Sequence, residues 1–300
     1  MSTSPIVAGL EISKPGKELI PTNDGGGITK LDLAEYYAAV ADVMLPHVAD
    51  RPLNMQRFPD GIGGISFYEK KLPSHFPDWF ARVEVETADG RQQQPVVGDA
   101  RSLVYLANQA CITPHTWLCR TSALDLPDQL VFDLDPSTEG TDDVRRATRM
   151  TGELLDDLGL TAFVKTTGSR GYHVLVPLRP DGDFETVRAF ARAVARHLVT
   201  LAPDLLTVEQ RKAKRGSRVY VDVFRNGYGQ TAVPSYGVRA RPGAPVSTPI
   251  TWDELSRVGP AQYDIRSVLR RLSQRRDPWQ GIRRRAQGLG KAQQRLARLT

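Results

Sequence analysis

The sequence predicts an α/β (α+β) fold with a central, largely antiparallel sheet flanked by helices, and three observations carry that expectation. Apolar runs with strand character alternate with amphipathic helical segments. Two β-rich runs are joined by a short Gly/Ser/Thr turn, which reads as a hairpin. At 300 residues and 40% hydrophobic, the chain can also bury a substantial core.

In chain order, Thr29 can cap a helix. Asp32 stands three residues on as a capping-box acid, and Leu33, Tyr36, Tyr37, Val40, Val43 and Met44 recur at helical spacing up to Pro46. Its tyrosines read as core. Leu130-Val131-Phe132 opens a strand that ends in Asp133-Leu134-Asp135-Pro136, and 142–158 forms a helix with Val144, Met150, Leu154, Leu155 and Leu158 on one side. The hairpin spans 163–178. A third helix runs over 185–201 with Val187, Phe190, Val194 and Leu198 aligned, and Arg218-Val219-Tyr220-Val221-Asp222-Val223-Phe224 is the last clear strand. The expected boundaries are an amino-terminal sub-lobe over 1–129, a catalytic core over 130–265 and a basic tail over 266–300, together forming one compact unit.

Asp133 and Asp135 alternate along a strand and so share a face. Leaving both ionised beside an apolar strand costs on the order of several kcal/mol and pushes at least one pKa upward, unless a cation sits between them. Hard divalent cations take carboxylate oxygens and commonly complete their shells with phosphate and water. A lone D-x-D is weak evidence. Asp222, however, is the only acid between Glu209 and Asp253, in a stretch carrying Lys212, Lys214, Arg215 and Arg225. Three carboxylates from two strands match what two-metal phosphoryl transfer requires; taken alone, Asp222 reads as an acid on a solvated strand face, with a buried structural ion pair as a further alternative.

The hairpin turn Thr166-Thr167-Gly168-Ser169-Arg170-Gly171 suits an anion. Glycines admit close approach of backbone N–H groups, hydroxyls donate, Arg170 supplies charge and His173 opens the returning strand. It is not a P-loop, because the Gly-x4-Gly-Lys-Ser/Thr order is absent and a strand follows it.

Together, Val131-Phe132-Asp133-Leu134-Asp135-Pro136, Thr166 through His173, Val221 through Asn226 and Arg239 through Ser247 resemble the polymerase domain of bacterial DNA ligase D, within the archaeo-eukaryotic primase superfamily. The resemblance runs in order from Ser13 to Leu269. Lys17-Glu18-Leu19-Ile20-Pro21, Arg57-Phe58-Pro59-Asp60-Gly61 and Phe67-Tyr68-Glu69-Lys70 agree with it.

The resemblance implies a primase-like fold and a set of roles. Asp133, Asp135 and Asp222 would hold two Mn²⁺ or Mg²⁺ ions, with Asp222 also helping to deprotonate a primer 3′-hydroxyl. His115, Thr167, Ser169, Arg170, His173, Lys212, Arg215, Arg225 and Arg239 would face the incoming nucleotide. Lys17 and Lys30 would grip a downstream 5′-phosphate, and Phe67 and Tyr68 would support the template. Two residues depart from the family pattern: Thr167 stands where Ser is usual and Arg170 where Lys is usual. The loop Thr22 to Gly27 is longer and richer in glycine than the typical connection, so Lys30 could equally be a solvated first turn of helix.

Composition adds a polyanionic partner. The formal charge is +6, yet residues 266–300 hold eleven Lys and Arg against the single acid Asp277, a local +10 that leaves −4 elsewhere. Such a tail attracts DNA through counterion release without reading sequence. A solvated or frayed end near Leu289-Gly290, or a linker, is the competing reading. Two cysteines and no amino-terminal apolar segment point to a reducing cytoplasm, and no apolar run reaches the roughly 18 residues of a membrane span; nucleoid association is the expectation for a DNA-repair enzyme. Cys111, His115 and Cys119 have four-residue spacing, but Pro114 spoils a helical zinc face.

The expected function is therefore a template-directed nucleotidyltransferase that fills short gaps or extends ends in DNA repair. Gapped or broken duplex DNA with a 5′-phosphate and nucleoside triphosphates are its expected partners, with Ku and a DNA ligase as further candidates. A preference for ribonucleotides is implied by the resemblance alone. No Lys-x-Asp-Gly nucleotidylation signature is present, so sealing would need another protein. Primase-type initiation and a non-catalytic DNA-end-binding module are the alternatives.

Overall fold

The computed structural model describes residues 4–22, 25–88 and 90–299; Asn23 and Asp24 of the glycine-rich loop lie outside the described residues. The chain divides into two compact units, each gathered from separate stretches: unit 1 from Met1–Trp117, Thr231–Thr248 and Tyr263–Asp277, and unit 2 from Leu118–Gln230, Pro249–Gln262 and Pro278–Thr300.

Unit 2 is built on a six-stranded sheet in the order Leu206–Thr207, Val219–Asp222, Gln129–Asp135, Tyr172–Pro177, Phe163–Thr166, Pro249–Ile250. Only the first pair is parallel. Leu130, Val131, Phe132 and Leu134 are all almost completely buried. Both faces of that strand are thus covered, which is why its sequence reads as an apolar run rather than an alternation. Helices Asp142–Asp157 and Phe184–Leu201 pack against it. The second is capped by Asp183, whose carboxylate accepts from Thr186 N, and buries Val187, Phe190, Val194 and Leu198 as the spacing predicts. Trimming Leu198 to Ala would cost about 2–5 kcal/mol.

Unit 1 carries a four-stranded antiparallel sheet in the order Thr231–Ala232, Cys111–Trp117, Leu53–Arg57, Phe67–Glu69. Thr29 and Asp32 form the expected capping box on helix Lys30–Ala39. The single helix expected up to Pro46 is instead two. At Val40 the backbone leaves the helical region (φ −94°, ψ 3°), and a new helix, Ala41–Val48, continues through Pro46. Restarting at Ala41 places the proline within a short second helix, where it removes one backbone bond rather than setting the end of the first. Tyr36 and Tyr37 are core residues whose hydroxyls donate to Tyr236 O (2.9 Å) and Ile112 O (2.6 Å).

The basic tail is docked, not frayed. Trp279, Ile282, Leu289, Ala292 and Leu296 are buried, and Trp279 Nε1 donates to Val164 O at 3.2 Å. Gln287 clamps the end in place. Its side chain accepts from Thr161 N (2.8 Å) and donates to Thr161 O (3.0 Å), while its backbone bonds Pro177 O and Arg179 N. The apolar residues bury and the arginines 283–285 stay exposed, a division that net charge alone conceals. Cys111 and His115 lie on a strand rather than on a helix face, and burial pushes the Cys111 thiol up to about 12. Among the described residues, no helix is long and apolar enough to cross a membrane.

Candidate active site

Strand register in unit 2 places four polar residues in one transverse row. Lys165 lies opposite His173, His173 opposite Asp133, and Asp133 opposite Asp222. Directly opposed residues of antiparallel strands project to the same face with Cβ atoms roughly 4.5–5.5 Å apart. Asp135, two positions along from Asp133, joins that face. Lys165 went unmarked in the sequence, where it looks like one cation in an ordinary strand; it is 2% exposed.

The row is electrostatically crowded. Burial, then Asp133 and Asp222, push the Asp135 carboxyl up to about 6, against the pull of Arg225 and Arg170. Burial also raises Asp222, opposed by the Phe224 N–H that its Oδ1 accepts at 2.8 Å, with Asp133 pushing further upward. Burial lowers His173 to about 4 despite the adjacent Asp133, and Lys165 adds to the lowering. The 3.4 Å contact between His173 Nε2 and Asp133 Oδ1 is therefore that of a neutral imidazole with a carboxylate, not an ion pair. Arg225 Nε lies 3.7 Å from Asp133 Oδ2.

A hard divalent cation fits this donor set. Among the described residues no group of three His, Cys, Asp or Glu is arranged to hold a metal ion. The raised affinities of Asp135 and Asp222 for protons mark the positive charge that the face lacks.

The hairpin turn leans on the same strand. A Cβ at Gly171 would collide with the Leu134 carbonyl oxygen, so glycine is required there, and Gly168 takes φ +66°. Thr167 spends its hydroxyl on the turn itself: it donates to Gly171 O (2.9 Å) and accepts from Ser169 N (3.2 Å) and Gly171 N (3.3 Å). Ser169 is half-buried and Arg170 exposed. Lys212 is exposed on the turn Lys212–Lys214, whereas Arg215 is buried, donates to Glu209 O and Gln210 O, and lies 3.9 Å over the Tyr220 ring.

Unit 1 holds the remaining candidates. Lys30 is buried rather than a solvated first turn; its Nζ donates to Ser13 Oγ at 3.2 Å, and burial, followed by the charges of Lys17, Lys14 and Arg57, lowers its pKa. Lys17 Nζ pairs with the exposed Asp60 at 2.8 Å. Phe67 and Tyr68 are 41% and 57% exposed, high values for aromatic rings at the edge of a sheet. Tyr68 meets His115 edge-on at 5.5 Å, and Arg57 sits 5.6 Å from the Phe67 ring centre. Arg239 enters the turn before Gly243, its N–H donating to Pro245 O at 2.7 Å.

Residues 29–279 match the family model described as the primase-polymerase domain of LigD. The chain belongs to that family. It is 35% identical over 276 residues to the multifunctional non-homologous end joining protein LigD of Pseudomonas aeruginosa, covering 91% of this chain and 32% of the relative. With the bifunctional LigD of Bacillus subtilis it shares 29% identity, over 84% of this chain and 41% of the relative. The chain thus spans less than half the length of either relative. The fold matches the polymerase domain of Mycobacterium tuberculosis ligase D, solved in complex with DNA, with a TM-score of 0.85 and 30% identity over 95% of this chain and all of that one. The LigD polymerase domain is a metal-dependent nucleotidyltransferase of DNA repair. Sequence reasoning gave no role to Lys165 or Asn226; the signal for the first was a lone cation in the short strand Phe163–Thr166.

Proposed function

We propose that this chain is a template-directed polymerase that fills short gaps and extends broken ends of DNA, drawing on nucleoside triphosphates and favouring ribonucleotides. The observation that carries the proposal is the row of Asp133, Asp222 and Asp135 on one sheet face, short of positive charge and bordered by Arg225 and Arg170. Asp133, Asp135 and Asp222 would hold two divalent ions, Mn²⁺ or Mg²⁺. Such ions activate the attacking oxygen and steady the leaving one. Asp222 would also help to deprotonate the primer 3′-hydroxyl. His173 remains neutral and buried, and its Nδ1 makes no hydrogen bond, which leaves that atom for a substrate group. Ser169, Arg170, Lys212 and Arg225 supply donors and charge to the triphosphate. Arg215 acts by bracing Tyr220 beside them, and Thr167 by shaping the turn that presents Ser169. The nucleotide-facing roles of His115 and Arg239 rest on family resemblance.

The cationic neighbourhood of Lys17 and Lys30 in unit 1 suits a downstream 5′-phosphate, and the exposed Phe67 and Tyr68 rings suit template bases. A 5′-phosphate site favours gap filling over primer-free initiation. End joining, with Ku holding the ends and a ligase sealing them, is the setting this reading calls for, in line with the names of the LigD relatives. The test is primer extension on a gapped duplex bearing a 5′-phosphate, with Mn²⁺ or Mg²⁺ and with NTPs against dNTPs, beside Asp133→Ala/Asp135→Ala. Extension by the double variant at the parent's rate would overturn the metal assignment. Dinucleotide synthesis without primer, faster than gap filling, would move the function to initiation.

A further inference from the structure

Asn226 ends the run Val221-Asp222-Val223-Phe224-Arg225-Asn226 and looks like a turn residue, yet it is completely buried. Pairing between strands Gln129–Asp135 and Val219–Asp222 stops at Asp133 opposite Asp222, because the chain then leaves the sheet through the turn Phe224–Asn226. Val131, two residues earlier on its strand, presents its peptide groups to the side where the neighbouring strand has ended. A buried donor or acceptor left there without a partner would cost about 1–3 kcal/mol. The Asn226 carboxamide meets both groups: Oδ1 accepts from Val131 N at 2.8 Å, and Nδ2 donates to Val131 O at 2.7 Å. Nδ2 also donates to Val223 O at 3.0 Å, tying the turn to itself. A carboxamide has the donor and acceptor of a peptide unit, so a side chain adds one more rung to the ladder.

Each residue of this turn grips the carboxylate face. Phe224 N–H holds Asp222 Oδ1, Arg225 approaches Asp133 Oδ2, and Asn226 locks the strand that carries Asp133. We infer that Asn226 is a positioning residue for the carboxylates, its paired bonds to Val131 setting the spacing of Asp133 and Asp222 across the two strands. The inference rests on the proposed metal site.

Direct Mn²⁺ binding, followed by loss of the free-ion electron paramagnetic resonance signal, is compared for the parent, Asn226→Ala, Asp133→Ala/Asp135→Ala and Leu198→Ala, the last a destabilised control within the same unit. Asn226→Ala is expected to weaken Mn²⁺ binding about 10–100-fold, the range for groups that orient metal ligands. Its kcat should fall with it, while KM for gapped DNA stays within twofold of the parent's. Leu198→Ala should lower the melting temperature and leave Mn²⁺ binding intact. If Asn226→Ala does not fold, Asn226→Ser, which leaves a smaller void, is read by the same criterion. Parent-like Mn²⁺ binding by a folded Asn226 variant, alongside loss of binding in the double aspartate variant, overturns the positioning role and leaves the metal site standing. Parent-like binding by the double aspartate variant removes the metal site and the inference together.

Discussion

The two units handle charge in opposite ways. Unit 2 crowds Asp133, Asp135 and Asp222 onto one face, and burial with mutual repulsion raises Asp135 and Asp222. Unit 1 surrounds the buried Lys30 with Lys17, Lys14 and Arg57, and burial with like charge lowers it. Each arrangement holds like charges closer than a stable resting surface requires. Under the proposed function the first excess would be met by a cation and the second by an anion such as phosphate. Unit 2 also sets a buried histidine, His173, beside its charged face.

The strongest way to break this contrast is Asp133→Ala/Asp135→Ala, expected to cut nucleotide addition by roughly 10³-fold or more, beyond the loss of a single electrostatic contact. Gapped-DNA binding should survive, and a fluorescence anisotropy titration of the same protein checks it. Next comes pH in the metal-free state. The folded-state pKa of Asp135, about 6, lies above the ordinary carboxylate value, so its contribution to stability is present at low pH and lost as pH rises through 6. In EDTA the melting temperature should therefore fall from about pH 4 to about pH 6 and level off above, and the gain on adding Mn²⁺ should grow over the same interval. An Mn²⁺ increment that is flat with pH would mean that the carboxylates are not short of positive charge.

Effects in unit 1 should be smaller and confined to binding. Lys17→Ala is expected to weaken binding to a 5′-phosphorylated gap about tenfold, the scale of one charge-assisted hydrogen bond at a partly exposed site, and to spare the same gap lacking the phosphate. Equal weakening on both substrates would reassign Lys17 to general backbone contact. Tyr68→Ala should raise KM for template about fivefold, at the low end of base stacking, with kcat unchanged. A fall in kcat without a change in KM would place Tyr68 with the chemistry instead.

Local pattern made much of unit 2 legible. Asp133-Leu134-Asp135 declares a shared face by parity, and the hairpin over 163–178 is announced by its turn residues. The remainder depended on register between distant segments. Lys165 gains meaning only because it falls opposite His173, and Asn226 because the neighbouring strand stops at Asp222. Thr167 and Arg215 were visible as polar groups, yet nothing local reveals that the first is engaged within its own turn and the second over Tyr220. The helix break at Val40 escaped notice because apolar spacing continues smoothly across it. The tail misled for a different reason: eleven cations outweigh, in any composition, the single glutamine and tryptophan that anchor it.

That anchoring has a practical consequence. Gln287 satisfies Thr161 and the chain around Pro177 and Arg179, and Ile282, Leu289 and Leu296 are buried with it. A protein cut back to residue 279, where the family match ends, would strip a rim of backbone amides and carbonyls bare and leave an oily scar on unit 2. Such a shortened version should self-associate in proportion to its concentration, even with every catalytic side chain intact.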